Sequence, residues 1–597
     1  MPEIKTKAEK SKRLDIVHKY WEFCETHPRQ LDFLKRKVIA NDFYHSRQWD
    51  AADIEELNKQ GRPHETINLI KPIIRSASGY QRQSRQATTV LARKGGKEFV
   101  ADVLSQVARY FEDLSHNRWQ EAIWFFYGLI NIKSWLSFNI DYTLDPISGD
   151  LIMRVEDESM IIEDPQSKAY DLNEDCRFIF KNSWQTKEWI EMMFPGVELP
   201  KTGDDYLTSD IELKYQEDHK DEYLIRECQW KNYVKENWLI ELATQERRIV
   251  DDKTAAEARR NKRKYRIIPR IIQKLNLTTY LGSEVLQDYA DPFNGVNKYS
   301  LIRFVPDFVK GECRGEVEDQ IGVQKITNKS YSQILHHLNT SANSGHWVEE
   351  GSLTGRGEVT SKEELEQSGS KSGFVGIYAK GTTPPIKITP TSISQGHIWL
   401  AQSGHEIIKR ISGTNDATAT ISPERNKNLS GIAMQQQTAQ GLIANEIVFD
   451  NFRFSKQIAS ETLVDFLRMT DVVTVDEMIA ICDDKTIAAW GEKYKLTAEQ
   501  MLLEIQDRNN GRYGIQVDQQ QSLPTIMKDH FAILLQVAEK FPGAIPPDLL
   551  IEYSQLPPDA KERIRKQVEE TKQMQLQQQQ QIIAGGNEQQ IPVQPQP

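Results

Sequence analysis

Apolar positions along the chain follow two periods in turn. They recur at helical spacing over residues 11–44 and again from Glu98 to about Leu136, which predicts helices with one apolar stripe turned to a core. Between these stretches Gly61-Arg62-Pro63 predicts a turn followed by a further helix. In "SFNIDYTLDPISGDLIMRVEDESMIIEDPQSKAYD" the period falls to two, with Asp-Pro and Ser-Gly-Asp as turn chemistry, so a small antiparallel sheet is expected. Strands also fit "EYLIRECQWKNYVKENWLIEL", and short strand-like pieces run through Phe304. Near Cys313 the helical period returns: Val317, Ile321, Gln324, Asn328, Tyr331, Leu335 and Leu338 step by four and three, a seam weakened by polar residues in its middle.

Residues from Asn339 to Pro390 are rich in Gly, Ser and Thr and read as loops and short strands. "ISQGHIWLAQSGHEIIKRISG" predicts a helix stopped near Gly413, "TNDATATISPERNKN" a loop, and Leu429 to about Met469 a long helix. That last helix opens with Leu-Ser-Gly and carries no charge between Asn428 and Asn445, unlike an ordinary exposed helix. Shorter helices follow over about 473–560, with "FPGAIPPD" and "LPPDAK" as breakers, and a Gln-rich helix runs into a tail expected to be disordered.

At 597 residues, 39% hydrophobic and 27% charged, the chain has the character of a globular protein of several modules, and no stretch is apolar enough to span a membrane. The basic N-terminus enters an amphipathic pattern in place of a signal peptide's apolar core, so the chain is expected to stay in the cytosol where it is made. Five cysteines lie far apart without a CxxC, which fits reduced thiols better than disulfides or zinc. A net charge of −11 argues against tight DNA binding, though not against DNA as a passenger. The most basic stretch is Glu246–Lys274, with eleven Lys or Arg against four Asp or Glu; a solvated helix face is one reading of it.

Catalytic signatures are missing. The sequence holds no GxxxxGK[ST], HExxH or GxSxG, and "GSLTGRG" and "SGSKSGFVG" read as loops. His336 and His337 are adjacent on one helix and read as a surface pair, and Asp204-Asp205 and Asp483-Asp484 read as chance pairs, so neither a metal nor another cofactor is expected.

Four stretches in their order resemble the portal proteins of tailed bacteriophages, of the large-subunit type found in short-tailed phages. They are "FYHSRQWD" with "GRPHETINLIKPIIRSASGYQRQSRQ"; the sheet ending "IIEDPQSKAYD"; "FVPDFVKGECRGEVEDQIGVQKITNKSYSQ"; and "ISGTNDATA" followed by "NLSGIAMQQQTAQGLIANEIVFDNFR". Two departures are the cysteine within "GECRG" and a short C-terminal extension, which argues against a long helical barrel beyond the crown.

The resemblance implies a non-enzymatic, mainly helical α+β chain that closes into a dodecameric ring at one capsid vertex of the virion, assembled in the host cytoplasm. It implies wing over 1–242, a stem helix over 243–263, a clip over 264–310, a second stem helix over 311–340, further wing over 341–475 with a tunnel loop at 413–428, a crown over 476–560 and a tail over 561–597. The implied partners are the terminase large subunit, major capsid and scaffolding proteins, a tail or head-completion adaptor, and double-stranded DNA as a non-specific passenger, with no membrane. Asn415, Asp416, Glu424, Arg425, Lys427, Asn428, Gln435, Gln436 and Gln437 would face the DNA channel, and Arg266, Arg270, Lys274, Asp288 and Asp291 would dock the motor. A neutral lining lets a polyanion slide without trapping it at each phosphate; packing inside the wing and between subunits explains the same uncharged helix equally well. Two other readings stand beside this one: a different virion ring protein, such as a tail hub or scaffold component, or a nucleic-acid enzyme.

Overall fold

The computed structural model describes residues 7–411 apart from 84–85, 144–145, 148, 198, 200–221, 243–246, 261–263, 343–344, 355–358, 370 and 389–394. It also describes 446–519 apart from 470–472, 483, 498–499, 501–502 and 506–511, and a few single positions beyond. The chain divides into two compact units, residues 1–78 with 88–516, and residues 79–87 with 517–597. Of the second unit, the described residues are one helix end, strand ends and single positions.

The first unit opens with helices α1 (Lys7–Thr26) and α2 (Pro28–Tyr44). His27 separates them: its ring accepts a hydrogen bond from the Arg29 N–H at 3.2 Å, and Pro28 takes a first-turn position where a missing N–H costs nothing. Helices α3 (Ala51–Lys59) and α4 (Ile70–Gln83) are joined by an extended segment. After strand β1 (Gln86–Arg93) come α5 (Glu98–Leu114) and α6 (Asn117–Asn131). The single helix expected over 98–136 is thus two, broken at His116, which adopts φ 50°; the chain leaves α6 through Ile132 at φ 73° and enters a strand.

That strand, β2 (Ser134–Asp141), pairs with β3 (Asp150–Glu156) as the period-two pattern predicts. Next come β4 (Ile161–Glu163), the single turn α7 (Leu172–Asp175), β5 (Phe178–Thr186), α8 (Lys187–Met193), β6 (Glu222–Glu241), β7 (Arg247–Val250), α9 (Asp252–Arg260), β8 (Tyr265–Leu281) and β9 (Glu284–Ala290). Strands β4, β5, β6, β8 and β9 lie in that order in one antiparallel sheet, with β7 also on β6. Its spine is the β6–β8 hairpin, in unbroken register from Arg226↔Tyr280 to Glu241↔Tyr265. Helix α1 lies against its inner half, burying Val17 and Cys24 among Phe178, Phe180, Trp230 and Tyr280.

The helix expected over 243–263 is thus shorter in the structure. Within 243–263 the described residues are helical only over α9, and 264–310 is mostly sheet. The cause is legible afterwards: Ile267, Ile268, Ile271, Ile272, Thr278 and Thr279 are β-branched residues with β6 as partner, and α9 has only Ala255 and Ala258 to bury.

The rest of the unit comprises β10 (Leu301–Phe304), β11 (Asp307–Val309), β12 (Glu312–Arg314), α10 (Glu318–Ala342), β13 (His346–Trp347), α11 (Lys362–Ser368), β14 (Ile386–Lys387), α12 (Gln395–Ile411), α13 (Glu446–Met469), α14 (Val475–Ile481), α15 (Asp484–Tyr494) and β15 (Arg512–Gln519). Strand β10 joins β2 and β3, and β15 pairs with β1, a strand the sequence pattern did not predict. Trp124 and Phe125 of α6, Phe304 of β10 and Phe452 of α13 form an aromatic core with ring centroids 5.0–6.3 Å apart, joining segments distant in sequence. Beside it Glu163, fully enclosed, accepts from Lys133 Nζ at 2.9 Å and Arg303 Nη1 at 2.8 Å. Burial opposes its ionisation, but the two cations outweigh burial and hold the carboxyl below its ordinary range. The α+β class stands, with helix predominating.

Candidate functional site

The long helix α10 buries a face that is polar where a helix–helix seam would be apolar. Gln320, Gln324, Thr327 and Asn328 are all buried. The reason is what they meet: Gln324 and Asn328 clasp the extended segment before α4, whose backbone demands hydrogen bonds. Gln324 Nε2 donates to Ile67 O at 2.7 Å, Gln324 Oε1 accepts from Leu69 N at 3.0 Å, and Asn328 Nδ2 donates to Gln48 Oε1 at 2.6 Å. Ser332 donates to Pro63 O. Asn68 completes the clasp, since its Oδ1 caps α4 at Ile70 N and Lys71 N while its Nδ2 donates to Phe43 O and Tyr44 O. The polar residues that weaken the seam as a coiled coil are therefore the ones that hold the fold here.

On another side of α10 lies α12, where a Cβ at Gly404 would overlap Thr327 Oγ1. Thr327 cannot simply turn away, because its hydroxyl donates to Val323 O at 2.9 Å. Helix α12 buries only Ala401, Gly404 and Ile408, a stripe one residue wide, and leaves Ile398, Trp399, Leu400, Ile407 and Ile411 exposed. The 343–394 segment between the two helices has almost no core of its own. Among its described residues only Ser352 and Thr360 are buried, while Trp347, Val375, Ile377, Tyr378 and Ile386 are exposed.

The expected channel residues Asn415, Asp416, Glu424, Arg425, Lys427, Asn428, Gln435, Gln436 and Gln437 lie outside the described residues, as does most of 561–597. The five expected docking residues are described, and the structure divides them. Arg266 and Arg270 are exposed on the outer half of β8. Lys274 is partly covered and paired with the buried Glu236 at 2.6 Å. Asp288 is wholly buried, with Arg13 Nε at 2.7 Å and Thr278 Oγ1 donating at 2.9 Å, so it cannot meet a partner. Asp291 sits at φ 59° in a turn and accepts from Gly295 N at 2.7 Å. These two acids hold a strand and a turn, and the structure removes Asp288 from the docking set.

Among the described residues no group of His, Cys, Asp and Glu is arranged to hold a metal ion, and no helix is long and apolar enough to cross a membrane. Sequence reading missed Gly404 and Thr327; the available signal was a glycine placed mid-helix in "AQSGHE".

The family model for the Phage P22-like portal protein matches residues 23–596. The chain belongs to that family, whose members are structural, non-enzymatic components of the phage capsid that form homo-oligomeric rings. No curated protein matches the chain.

Proposed function

We propose that this chain forms the ring-shaped channel at one capsid vertex, through which double-stranded DNA is packaged and later ejected, and which docks first the terminase large subunit and then a tail or head-completion adaptor. The observation that carries this reading beyond family membership is the α10–α12 pair with its bare segment. Two helices meet through small residues, and the 343–394 segment between them leaves large apolar side chains in water. A solitary chain gains nothing from such exposure, whereas copies around an axis would cover it.

On this reading the stem helices are α10, at the place expected for the second stem helix over 311–340, and α12 in place of 243–263, and the clip is 343–394. The tunnel loop keeps its place at 413–428, directly after α12. Motor docking moves with the clip, where Trp347 and Ile386, paired on β13 and β14, are among the bare apolar positions.

Negative-stain imaging of the purified chain and a DNA-packaging assay with the terminase test this. Closed rings with an opening wide enough for duplex DNA, and loss of packaging with intact rings on Trp347→Asp, are expected. A chain that assembles without a central opening belongs instead to another class of virion ring.

A further inference from the structure

The basic stretch 246–274 has no part in the channel reading, and the structure shows what carries it. Strand β5 leaves β6 at Phe178↔Trp230, yet β6 and β8 remain paired out to Glu241↔Tyr265. At the usual rise per strand residue this outer half extends roughly 35 Å. Strand β7 pairs along β6 from Asn237, and α9 covers one face, where Asn237 Nδ2 donates to Asp252 Oδ1 at 2.6 Å and Leu239 is buried.

Residues directly opposite each other in an antiparallel pair share a face, so Lys235 and Ile271, and Tyr233 and Gln273, lie on the same face as Leu239. Helix α9 stops short of them. Tyr233 is 77% exposed and its diagonal neighbour Ile271 is 75% exposed, on a hairpin too regularly paired to fold them away. Exposed cations share the face of this pair, Lys235 opposite Ile271 and Arg248 opposite Leu239, whereas Arg266 and Arg270, opposite Ile240 and Glu236, lie on the other face.

Charge selects the partner. The chain as a whole carries −11, while 246–274 is strongly basic, so the remainder is more acidic than the total. A basic arm on an acidic body is complementary to the body of another copy. Duplex DNA would engage the cations through phosphate but offers nothing to Tyr233 and Ile271. Strand addition along the free β8 edge is opposed by Pro269, which has no N–H to give, so the contact lies on the face.

We propose that the outer β6–β8 hairpin is an intersubunit latch: Tyr233 and Ile271 seat against apolar surface of the neighbouring copy while Lys235 and Arg248, on the same face, meet its acidic surface. Such a contact is heterologous, the kind that closes a ring. It rests on the ring assembly proposed above.

The test uses the full chain. Native mass spectrometry and sedimentation compare the wild type with Tyr233→Asp/Ile271→Asp and with Lys235→Glu/Arg248→Glu, and circular dichroism checks that each remains folded. A photo-crosslinking side chain at position 233, in a mixture of isotopically light and heavy copies, reports which chain lies opposite. The expected result is at least a tenfold rise in the concentration needed for assembly in the apolar double variant, a weaker and salt-dependent effect from charge reversal, and light–heavy crosslinked peptides. Folded variants that form rings as readily as the wild type overturn the latch and leave the ring reading intact. Crosslinks confined to one chain or to DNA, or unaltered rings that no longer bind the terminase, also overturn it. A wild type that stays monomeric at every concentration overturns the ring reading and the latch together.

Discussion

Arg13 and Asp288 meet across 275 residues of sequence, and that separation is why residue type alone misjudged the aspartate. In the chain Asp288 resembles Asp291, Arg266 and Arg270, charges in a strand-rich stretch; only the arrival of α1 turns it into a buried anion with a fixed partner. Asp288→Ala strands Arg13 and is expected to cost about 3–5 kcal/mol, whereas Arg270→Ala stays within about 0.5 kcal/mol, both readable from chemical denaturation. Glu112 gives a second test. Burial pushes its carboxyl from an ordinary 4.5 up to about 7 against the pull of Lys456. Between those values the folded chain keeps a proton that the unfolded chain releases. This contribution to stability is therefore complete below about pH 4.5 and is lost as pH rises through about 7. Glu112→Gln is expected to match the wild type at pH 5 and to exceed it at pH 8 by on the order of 1–3 kcal/mol, seen as a higher thermal midpoint. A variant that gains nothing at pH 8 would show that the carboxylate is solvated in the folded state.

Helices and strands were legible wherever one face alone is buried. The α1 and α2 pattern and the helix ending at Ile411 follow from apolar spacing, because each presents one apolar side to a neighbour, and the β2–β3 hairpin follows from the alternation in β3 and the turn residues before it, although Ser134–Phe138 of β2 are buried on both faces. The reading failed where a second partner changes the rule. Residues Leu224–Arg226 and Cys228–Lys231 of β6 are buried on both faces, which blurs the alternation there; strand was still expected over the whole of β6, but its partner β8, whose isoleucines lie in the basic stretch, was not. In α10 the polar positions that lowered its score as a seam are buried because their neighbour is backbone. The packing of α10 on α12 can be tested directly. Gly404→Ala places a methyl against Thr327 and is expected to cost about 1–3 kcal/mol. Adding Thr327→Ala should recover most of that, and a double-mutant cycle measures the coupling. Independent, additive effects would mean that the two helices do not meet at these residues.

At the scale of the whole molecule, membership of the portal family assigns the chain to a ring, and the proposed passage of DNA rests on residues 412–445, which lie outside the described residues. Their sequence supports the conduit. Between Asn428 and Asn445 there is no charge, and the preceding stretch of sequence, expected to be a loop, carries the cations Arg425 and Lys427 together with Asp416 and Glu424. A densely cationic lining would hold each passing phosphate and a densely anionic one would oppose entry, so a few charges next to a neutral stretch suit a polyanion that must move both ways. The tail poses the complementary question. Ile564, Val568, Thr571, Gln575, Gln578 and Ile582 keep helical spacing but place Gln where a bundle needs apolar residues, and from Gly585 the composition turns against helix. Copies gathered around one axis could still pair glutamines at high effective concentration, so a short collar is the most such a seam could support. Cutting the chain after Thr571 is therefore expected to leave ring formation unchanged by native mass spectrometry. Arg425→Ala/Lys427→Ala should do the same while changing packaging rate or DNA retention. If the truncation abolishes the ring, the glutamine seam belongs to the assembly core; if the double alanine variant abolishes it, residues 413–428 are subunit contact and not tunnel loop.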